Sequence, residues 1–323
     1  MTHRLIEEVF LHYFDNETLR KLSDSSPLGH CHDQAFFTTD SYVVDPIFFP
    51  GGDIGKLSVC GTVNDLAVAG ARPAFLSAGF ILEEGLPLED LQRIVKSMAR
   101  EAQKAGVQVV TGDTKVVNKG KADKIFINTS GVGFLHPQFK GSHNGGGIRK
   151  GDKIIVNGNL GDHGVAVLAA REELEVSAQI RSDCASLNSL IDAILNQVEG
   201  VRMMRDLTRG GLATVMCEIA IQGNIGIHLE EKSLPTDEKV MGLCEMLGLD
   251  PLYLANEGKF VAIVDARTAG KMMDVMHADP LGQHAEIIGE VVEQHLSRVV
   301  LQTRIGGRRI IDMLTGEQLP RIC

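Results

Sequence analysis

Residues 88–115 read LEDLQRIVKSMAREAQKAGVQVVTGDTK and hold a helix pattern, a strand pattern and a polar segment in direct succession. Apolar residues recur three and four positions apart over 88–105, which predicts a helix that ends at Gly106. The run Val107–Thr111 predicts a strand, and the acidic segment 112–115 follows it in a loop-like context. A helix that leads directly into a strand indicates helices packed on a sheet.

The rest of the chain alternates between strand and helix patterns without a strict strand–helix–strand rhythm. This mixture predicts an α+β protein, with an α/β-type first domain and an α+β second domain. We predict further strands at 125–134, 153–157, 201–204, 227–230, 259–264, 286–292 and 299–302, and further helices at 187–198, 211–221, 238–247 and 266–277.

A glycine-rich polar stretch from Phe139 to Gly151 marks the boundary between the two domains, because such clusters between periodic segments are typical of loops. The length of 323 residues also suggests two domains. We therefore expect a first domain over 1–146 and a second over 147–314. Residues 315–323 lie beyond the last periodic element and are expected to form a mobile tail.

The composition limits the classes of function. The formal net charge is −10, and because nucleic-acid binding needs a basic face, no nucleic-acid partner is expected. No run of about 18 apolar residues occurs and the N-terminus lacks a secretory signal pattern, so we expect neither a membrane span nor export. The six cysteines include no Cys-x-x-Cys pair, which is typical of reduced thiols in the cytoplasm.

Four aspartates stand at the ends of apolar or β-type runs, each close to Gly, Asn or Thr: Asp40, Asp65, Asp113 and Asp206. Such carboxylates can bind a hard cation, and Mg²⁺ characteristically bridges them to phosphate oxygens. A single aspartate of this kind is better explained as a helix cap or turn residue, but the recurrence favours a metal site. The segment 51–56 lacks the spacing and the Ser or Thr of a P-loop, so ATP would need another fold.

Other residues have a chemical explanation beside a structural one. Lys115 could face a phosphate or an oxyanion, or be solvated. Glu257 suits a general base or a nucleotide contact, or a turn. The row His30–Asp33 contains ligand-type residues, but no second cluster completes a metal site, and a polar surface loop explains it better. Cys323 follows Pro320 at the end of the chain, where a thiol could carry a covalent cargo or stand by accident.

Eight segments spread over nearly the whole chain resemble the HypE family of hydrogenase maturation factors. This family shares a superfamily of ATP-binding enzymes, the PurM-like proteins, with aminoimidazole ribonucleotide (AIR) synthetase and selenophosphate synthetase. The Asn-Asp and Gly-Asp-Thr elements indicate only the superfamily, whereas the terminal Pro-Arg-Ile-Cys points to the HypE family, whose C-terminal Cys carries the reacting group. The matching segments are 39–46, 48–52, 79–87, 112–117, 160–164, 206–211, 255–259 and 320–323.

The resemblance implies an ATP-dependent dehydration. A HypF-like carbamoyltransferase would place a carbamoyl group on the Cys323 thiol, and ATP would drive dehydration of this S-carboxamide to a thiocyanate. The cyano group would pass to iron held by a HypC–HypD-like complex and become a cyanide ligand of [NiFe] hydrogenase. The implied fold is PurM-like, with two copies paired as a homodimer across a barrel-like sheet.

The resemblance also implies roles for individual residues. Mg²⁺ would be bound by the four aspartates named above, and the nucleotide would also contact Asn64, Gly112 and Thr114. Lys115 would stabilise charge on the amide or phosphate oxygen. Glu257 would take the amide protons as a base.

Two alternatives stay open. The first is another enzyme of the superfamily, similar to selenophosphate or AIR synthetase; an early catalytic Cys would favour the former, and Cys31 is the only early thiol. The second is a non-catalytic scaffold of the maturation complex. One departure favours the scaffold, since Met1 leads directly into an apolar helix pattern over 5–10, whereas the family usually starts with a short glycine-rich segment.

Overall fold

The computed structural model describes residues 26–30, 34–142, 144–174, 179–314, 319 and 321–323. These residues form two halves, each with its own sheet and helices, so the predicted α+β class is confirmed. The helix predicted over 5–10 and the side chains of the His30–Asp33 row lie outside the described residues.

The first sheet has five strands. All neighbouring strands in it are antiparallel except two, which are parallel and joined by helix α2 (Leu88–Ala105), because parallel strands need a crossover connection. This helix has the predicted bounds, and Gly106 ends it in a left-handed conformation with φ 71°. In spatial order the strands are β1 (Ser26–His30), β2 (Gln34–Tyr42), β7 (Ile125–Leu135), β5 (Ala71–Glu83) and β6 (Gln108–Val117).

The polar segment 112–115 lies inside β6, so its prediction as a loop is wrong. The strand continues to Val117 because it pairs residue by residue with β5, where Gly79 stands opposite Asp113. Gly112 allows this close pairing, since a Cβ there would lie 2.3 Å from the carbonyl oxygen of Ala78. The strand register therefore decides which way the side chains of this segment point.

Helix α1 (Ile54–Val68) packs on the inner face of the first sheet and was not predicted. Nearly all of its side chains are buried, because the sheet covers one side and the second half of the chain covers another. A helix buried all round has no polar face, so its periodicity gives no signal. Asp53 caps the helix by accepting from the N–H groups of Gly55 and Lys56. The segment 51–56 therefore contains the short strand β4 (Gly52–Asp53), which pairs with β3 (Phe48–Phe49), and the first residues of α1.

The second sheet has seven strands. Two neighbouring strands of this sheet are buried over 154–156 and 260–264, and helices cover both faces, as near-continuous apolar strands require. In spatial order the strands are β14 (Arg308–Ile311), β13 (Arg298–Gln302), β10 (Gly226–Glu230), β12 (Glu286–Val292), β8 (Lys153–Val156), β11 (Phe260–Val264) and β9 (Val201–Asp206). The helices are α3 (Asp162–Arg171), α4 (Asn188–Gln197), α5 (Gly211–Gly223), α6 (Glu238–Leu247) and α7 (Ala269–His277).

Every strand and helix predicted beyond residue 150 is present, although the helix predicted over 266–277 begins at Ala269. The two halves share an apolar core beside α1, which also contains Val167, Ala255 and Ile322. In the part of the chain that the structure describes, no helix is both long and apolar enough to cross a membrane.

Candidate functional site

Asp40 and Asp65 meet on the inner face of the first sheet. Strand alternation puts Asp40 on the same face as Thr38, toward α1, which carries Asp65. The Thr38 hydroxyl donates to Asp65 Oδ2 at 2.9 Å. Burial raises the pKa of Asp40, although the Ser41 N–H and the charge of Arg209 oppose this effect. Two of the predicted aspartates are therefore neighbours.

The phenol of Tyr42 lies among these carboxylates. Its hydroxyl is 3.3 Å from the hydroxyl of Thr62, and the ring is buried. Burial raises the pKa of Tyr42 well above its usual range. The negative charges that add to this effect belong to Asp40, Asp65 and Glu257. The three carboxylates therefore surround one point of the inner face.

Glu257 is the most deeply buried acid of this cluster, with 2% of its surface exposed. Asp183 fixes the loop around it by accepting from the N–H groups of Glu257 (3.1 Å) and Gly258 (3.2 Å). Burial raises the pKa of Glu257 well above its usual range, and the charges of Asp40, Asp183 and Asp206 add to the effect. None of the described residues hydrogen-bonds Glu257 Oε1. The surroundings therefore favour the neutral form of the acid, which offers a buried oxygen to a ligand.

The Asn64 carboxamide connects α1 to two loops of the second half. Its Nδ2 donates to the carbonyl groups of Ala185 (3.0 Å) and Glu257 (3.2 Å). Its Oδ1 accepts from the Leu187 N–H at 2.8 Å. Both donor hydrogens and the acceptor are thus engaged in backbone contacts. Asn64 supports the position of Glu257, and its direct contact with a nucleotide stays a prediction.

Asp206 ends β9, and Arg209 stands in the turn that follows. Desolvation by burial acts to lower the pKa of the Arg209 guanidinium, but nearby negative charges outweigh this effect and raise it. Arg209 is therefore a cation within the acidic cluster. Its role was not predicted, although it is the basic residue of the segment 206–211. The charges that act on it belong to Cys323, Asp40, Glu257 and Asp206.

The last three residues of the chain dock against this cluster. Ile322 is buried, and its carbonyl oxygen lies 2.9 Å from His163 Nε2. The Val43 N–H donates to the carbonyl oxygen of Cys323 at 3.1 Å. Cys323 is half-buried, and its charge acts on Arg209. The terminal residue is thus docked at the cation Arg209, on which Asp40, Asp206 and Glu257 also act.

The predicted mobile tail lies only partly within the described residues, since 315–318 and 320 are outside them. For residues 321–323 the structure gives a docked position, and their mobility stays a prediction. Local sequence patterns do not reveal the contacts that dock these residues, because the partners, such as His163, lie more than 150 positions away along the chain.

Asp113 and Lys115 stand on the opposite face of the first sheet from Asp40. Residues directly opposite in neighbouring strands share a face, and successive residues of one strand alternate between faces. Asp113, one position beyond Gly112, therefore points away from the inner face. The register across the sheet runs through Asp40, Thr129, Ala78 and Gly112.

Asp113 and Lys115 are also far from Asp40. Two strands lie between β2 and β6, which puts Asp40 and Asp113 about 14 Å apart. Asp113 and Lys115 pair with each other at 2.9 Å, and both side chains are exposed. Hydrogen bonds from Lys115 and from the Thr114 N–H lower the pKa of Asp113. Within one chain, the cluster contains Asp40, Asn64, Asp65, Asp206, Glu257 and Cys323 but not Gly112, Asp113, Thr114 or Lys115.

The cluster is chemically suited to a hard divalent cation, because Mg²⁺ prefers carboxylate oxygens. Across the described ranges, no three His, Cys, Asp or Glu side chains converge closely enough to hold a metal by themselves. Asp40, Asp65 and Asp206, with the unsatisfied oxygen of Glu257, fit a cation that brings further ligands with it, such as the phosphate oxygens of a nucleotide.

Two family profiles match this chain. The N-terminal domain of AIR synthase related protein matches residues 28–135, and its C-terminal domain matches residues 149–302. The two matches coincide with the first and the second sheet. The domain bounds 1–146 and 147–314 are compatible with them and stay predictions.

Curated relatives match over nearly the full length. The chain is 52% identical over 324 residues to carbamoyl dehydratase HypE of Cupriavidus necator, and the matched region covers 99% of this chain and 91% of that protein. It is 47% identical to carbamoyl dehydratase HypE of Escherichia coli K12, with 99% of this chain and 95% of that protein covered.

Solved structures agree. A HypE–HypF complex matches with TM-score 0.90 and 49% identity, covering 96% of this chain and 99% of that chain. A hydrogenase maturation protein HypE in complex with ATP matches with TM-score 0.87 and 47% identity, covering 100% and 96%. The similarity to the ThiL structure with AMPPCP and TMP, at 17% identity and TM-score 0.70, concerns the fold alone. This chain belongs to the HypE family of carbamoyl dehydratases, the hydrogenase maturation enzymes of the PurM-like superfamily.

Proposed function

We propose that this chain uses ATP to dehydrate an S-carboxamide on Cys323 to a thiocyanate, which supplies the cyanide ligand for the iron of [NiFe] hydrogenase. The docked tail is the observation that carries this proposal. Negative charge of Cys323 and of Glu257 acts on the same Arg209 guanidinium, and Cys323 packs against the apolar core that contains Ala255, so the terminal residue and the loop of the buried acid lie at one site. A terminal thiol held among carboxylates suits a covalently carried substrate.

The similar solved structures support the cofactor and the first partner. One is a HypE with ATP, and another is a HypE with HypF. We infer that this chain binds ATP and Mg²⁺, receives its carbamoyl group from a HypF-like carbamoyltransferase and passes the cyano group to a HypC–HypD-like iron-carrying complex. Buried, reduced thiols support action in the cytoplasm; they belong to Cys60, Cys184, Cys217 and Cys244.

The chemistry requires a leaving group and a base. An amide oxygen leaves poorly, and transfer of a phosphoryl group from ATP makes its departure feasible. Asp40, Asp65 and Asp206 would hold the Mg²⁺ that neutralises the phosphoryl charge. Arg209 is placed to stabilise negative charge near the thiol.

Glu257 is the proposed base for the amide protons. A base must be ionised, whereas burial and neighbouring carboxylates keep the pKa of Glu257 high. Positive charge beside these carboxylates favours the ionised form, and Arg209 already supplies one such charge. Positive charge that accumulates in the site therefore lowers the pKa of Glu257 and ionises it, so that it can accept a proton only in a loaded site.

We also propose that the outer face of the first sheet forms a homodimer interface. Phe37 and Phe75 both pair with Val132 and form one apolar row. Ile81 and Phe126 form a second row. Phe37, Phe75 and Ile81 are exposed, and exposed apolar side chains grouped on one face mark an interaction surface.

Asp113 and Lys115 belong to this outer face and to its edge strand β6. Their distance of about 14 Å from Asp40 and their opposite direction separate them from the cluster of their own chain. We propose that they act in the site of the second copy, where the resemblance places a metal ligand and a catalytic cation.

The intact mass of the protein tests the proposed function. After incubation with a HypF-like transferase and its carbamoyl donor, the chain should gain one carbamoyl group, and after ATP it should lose one water. Cys323→Ala should show neither change and keep its stability within about 0.5 kcal/mol, since the tail lies at the chain end. An adduct on the Ala variant, or an adduct that persists with ATP, would contradict the proposal. ATP hydrolysis that depends on carbamoylation distinguishes the enzyme from a scaffold.

A further inference from the structure

We propose that His163 and Arg171 are positioning residues that hold the C-terminal tail by its backbone and so place Cys323 in the site. The catalytic purpose of these backbone contacts rests on the proposed function, whereas the contacts themselves are independent of it. His163 Nε2 lies 2.9 Å from the carbonyl oxygen of Ile322. Arg171 Nη2 donates to the carbonyl oxygen of Arg321 at 2.7 Å.

The hydrogen bonds around His163 define its tautomer. The Ile322 carbonyl oxygen can only accept, so Nε2 carries the ring hydrogen and donates to it. In the neutral ring Nδ1 then accepts from the Ser182 hydroxyl, 2.8 Å away. The ring is fully buried, and the edge-on contact with Phe49 at 5.4 Å fixes its plane. Burial lowers the pKa of His163, which keeps the imidazole neutral.

Arg171 connects the tail to the segment on which it lies. Its Nε donates to the carbonyl oxygen of Asp45 at 2.8 Å, while its Nη2 holds Arg321. The Asp45 N–H donates to the Arg321 carbonyl at 3.3 Å, and the Val43 N–H to the Cys323 carbonyl at 3.1 Å. The tail thus lies beside residues 43–45 in the manner of an added strand.

These contacts use the carbonyl groups of all three terminal residues. Their formation does not depend on the group that the sulfur carries, so the tail can dock before and after modification. Arg321 adopts φ 56°, a left-handed conformation that is unfavourable for a residue with a Cβ. The docked state therefore needs compensating contacts, and His163 and Arg171 provide them.

Digestion of the full-length, unmodified protein by a broad-specificity carboxypeptidase, followed by intact mass, tests this proposal. When opening and closing are fast, the cleavage rate follows the population of the undocked tail. Loss of a donor to a buried carbonyl should raise that rate about ten-fold in His163→Leu and in Arg171→Ala. His163→Gln should stay near the wild-type rate, because the Gln amide can place a donor at the Nε2 position.

His136→Leu is the matched control, since His136 is equally buried but bonds to Arg72 instead of the tail. Wild-type digestion rates in folded His163→Leu and Arg171→Ala would overturn the proposal, as would His163→Gln digested as fast as His163→Leu. If His163→Leu does not fold, Arg171→Ala and His163→Gln decide the question. The assay contains neither ATP nor carbamoyl donor, so its outcome is independent of the dehydration itself.

Discussion

Asn64 Nδ2 donates to the backbone carbonyl of Glu257 at 3.2 Å, so a helix residue of the first half holds the loop that carries the buried acid of the second half. The same amide holds Ala185 and Leu187. The site lies between the two halves, because Asp40 and Asp65 come from one and Asp206 and Glu257 from the other. We therefore expect Asn64 to affect catalysis indirectly, by holding the site residues of the two halves in position.

Asn64→Ala should lower the free energy of unfolding by about 2–3 kcal/mol. The change removes the side-chain partner of the Ala185 carbonyl and of the Leu187 N–H, and it leaves the Glu257 carbonyl with the longer bond from the Ala185 N–H at 3.4 Å. Urea unfolding measures this change. Asn196→Ala is the matched control, because its side chain is exposed and bonds to the half-exposed Asp192, and it should stay within about 0.5 kcal/mol. Equal small effects in both variants would contradict the bridging role.

Glu257→Gln should retain the fold and the carbamoyl adduct but not dehydrate it. Gln has the shape of the neutral acid, and burial already favours that neutral form. Without a base, the amide protons have no acceptor in the site. Intact mass after loading and ATP should show a persistent carbamoyl group, whereas loss of water in this variant would remove Glu257 from the role of base.

Local patterns predicted most of the fold and part of the site. Helix α2 was predictable because it has one apolar and one polar face, whereas α1 is buried all round and gives no periodic signal. The local pattern identified Asp40 and Asp206 as candidate site residues, and both act electrostatically on Glu257 and Arg209. Relationships between distant parts of the sequence could not be predicted from local patterns. The sheet face on which Asp113 lies depends on strand register, and the docked position of Cys323 depends on His163 and Arg171, which are far away along the chain.

Asp162, the first residue of α3, should make the protein less stable as the pH rises from about 4 to about 7. Burial raises its pKa from 3.8 to about 7, and the charge of Asp183 adds to this despite Lys259. The folded chain binds the Asp162 proton more tightly than the unfolded chain does. The free energy of unfolding therefore falls as the pH rises from the unfolded pKa toward the folded pKa. Asp162→Asn should therefore gain about 1–2 kcal/mol over wild type between pH 5 and pH 8. Urea unfolding at both values that shows no gain would contradict this assignment.

Ile81→Glu should convert the proposed homodimer into monomers, because it places a charge in an apolar row of the outer face. Sedimentation velocity measures the change. Met246→Glu is the matched control, since Met246 is also exposed but lies on α6 of the second half. Dimers in both variants, or monomeric wild-type protein, would show that this face is not the interface.

A mixture of two inactive variants can show whether Lys115 serves the neighbouring copy. Lys115→Ala removes the cation of the outer face, and Glu257→Gln removes the base of the inner cluster. If the two residues serve one site from different chains, a mixed dimer contains one site with both native residues and one site with neither. Random exchange then makes half of the dimers mixed and restores about one quarter of the wild-type activity.

The control mixes Glu257→Gln with Asp40→Asn, both in the inner cluster of one chain, and no mixed dimer of these variants contains an intact site. Dehydration measured by intact mass should therefore recover in the first mixture and stay absent in the second. Recovery in neither mixture, with subunit exchange verified by a mass-tagged copy, would mean that Lys115 does not complete the neighbouring site. It would leave the roles of Glu257 and Cys323 intact, because both lie in the cluster of a single chain.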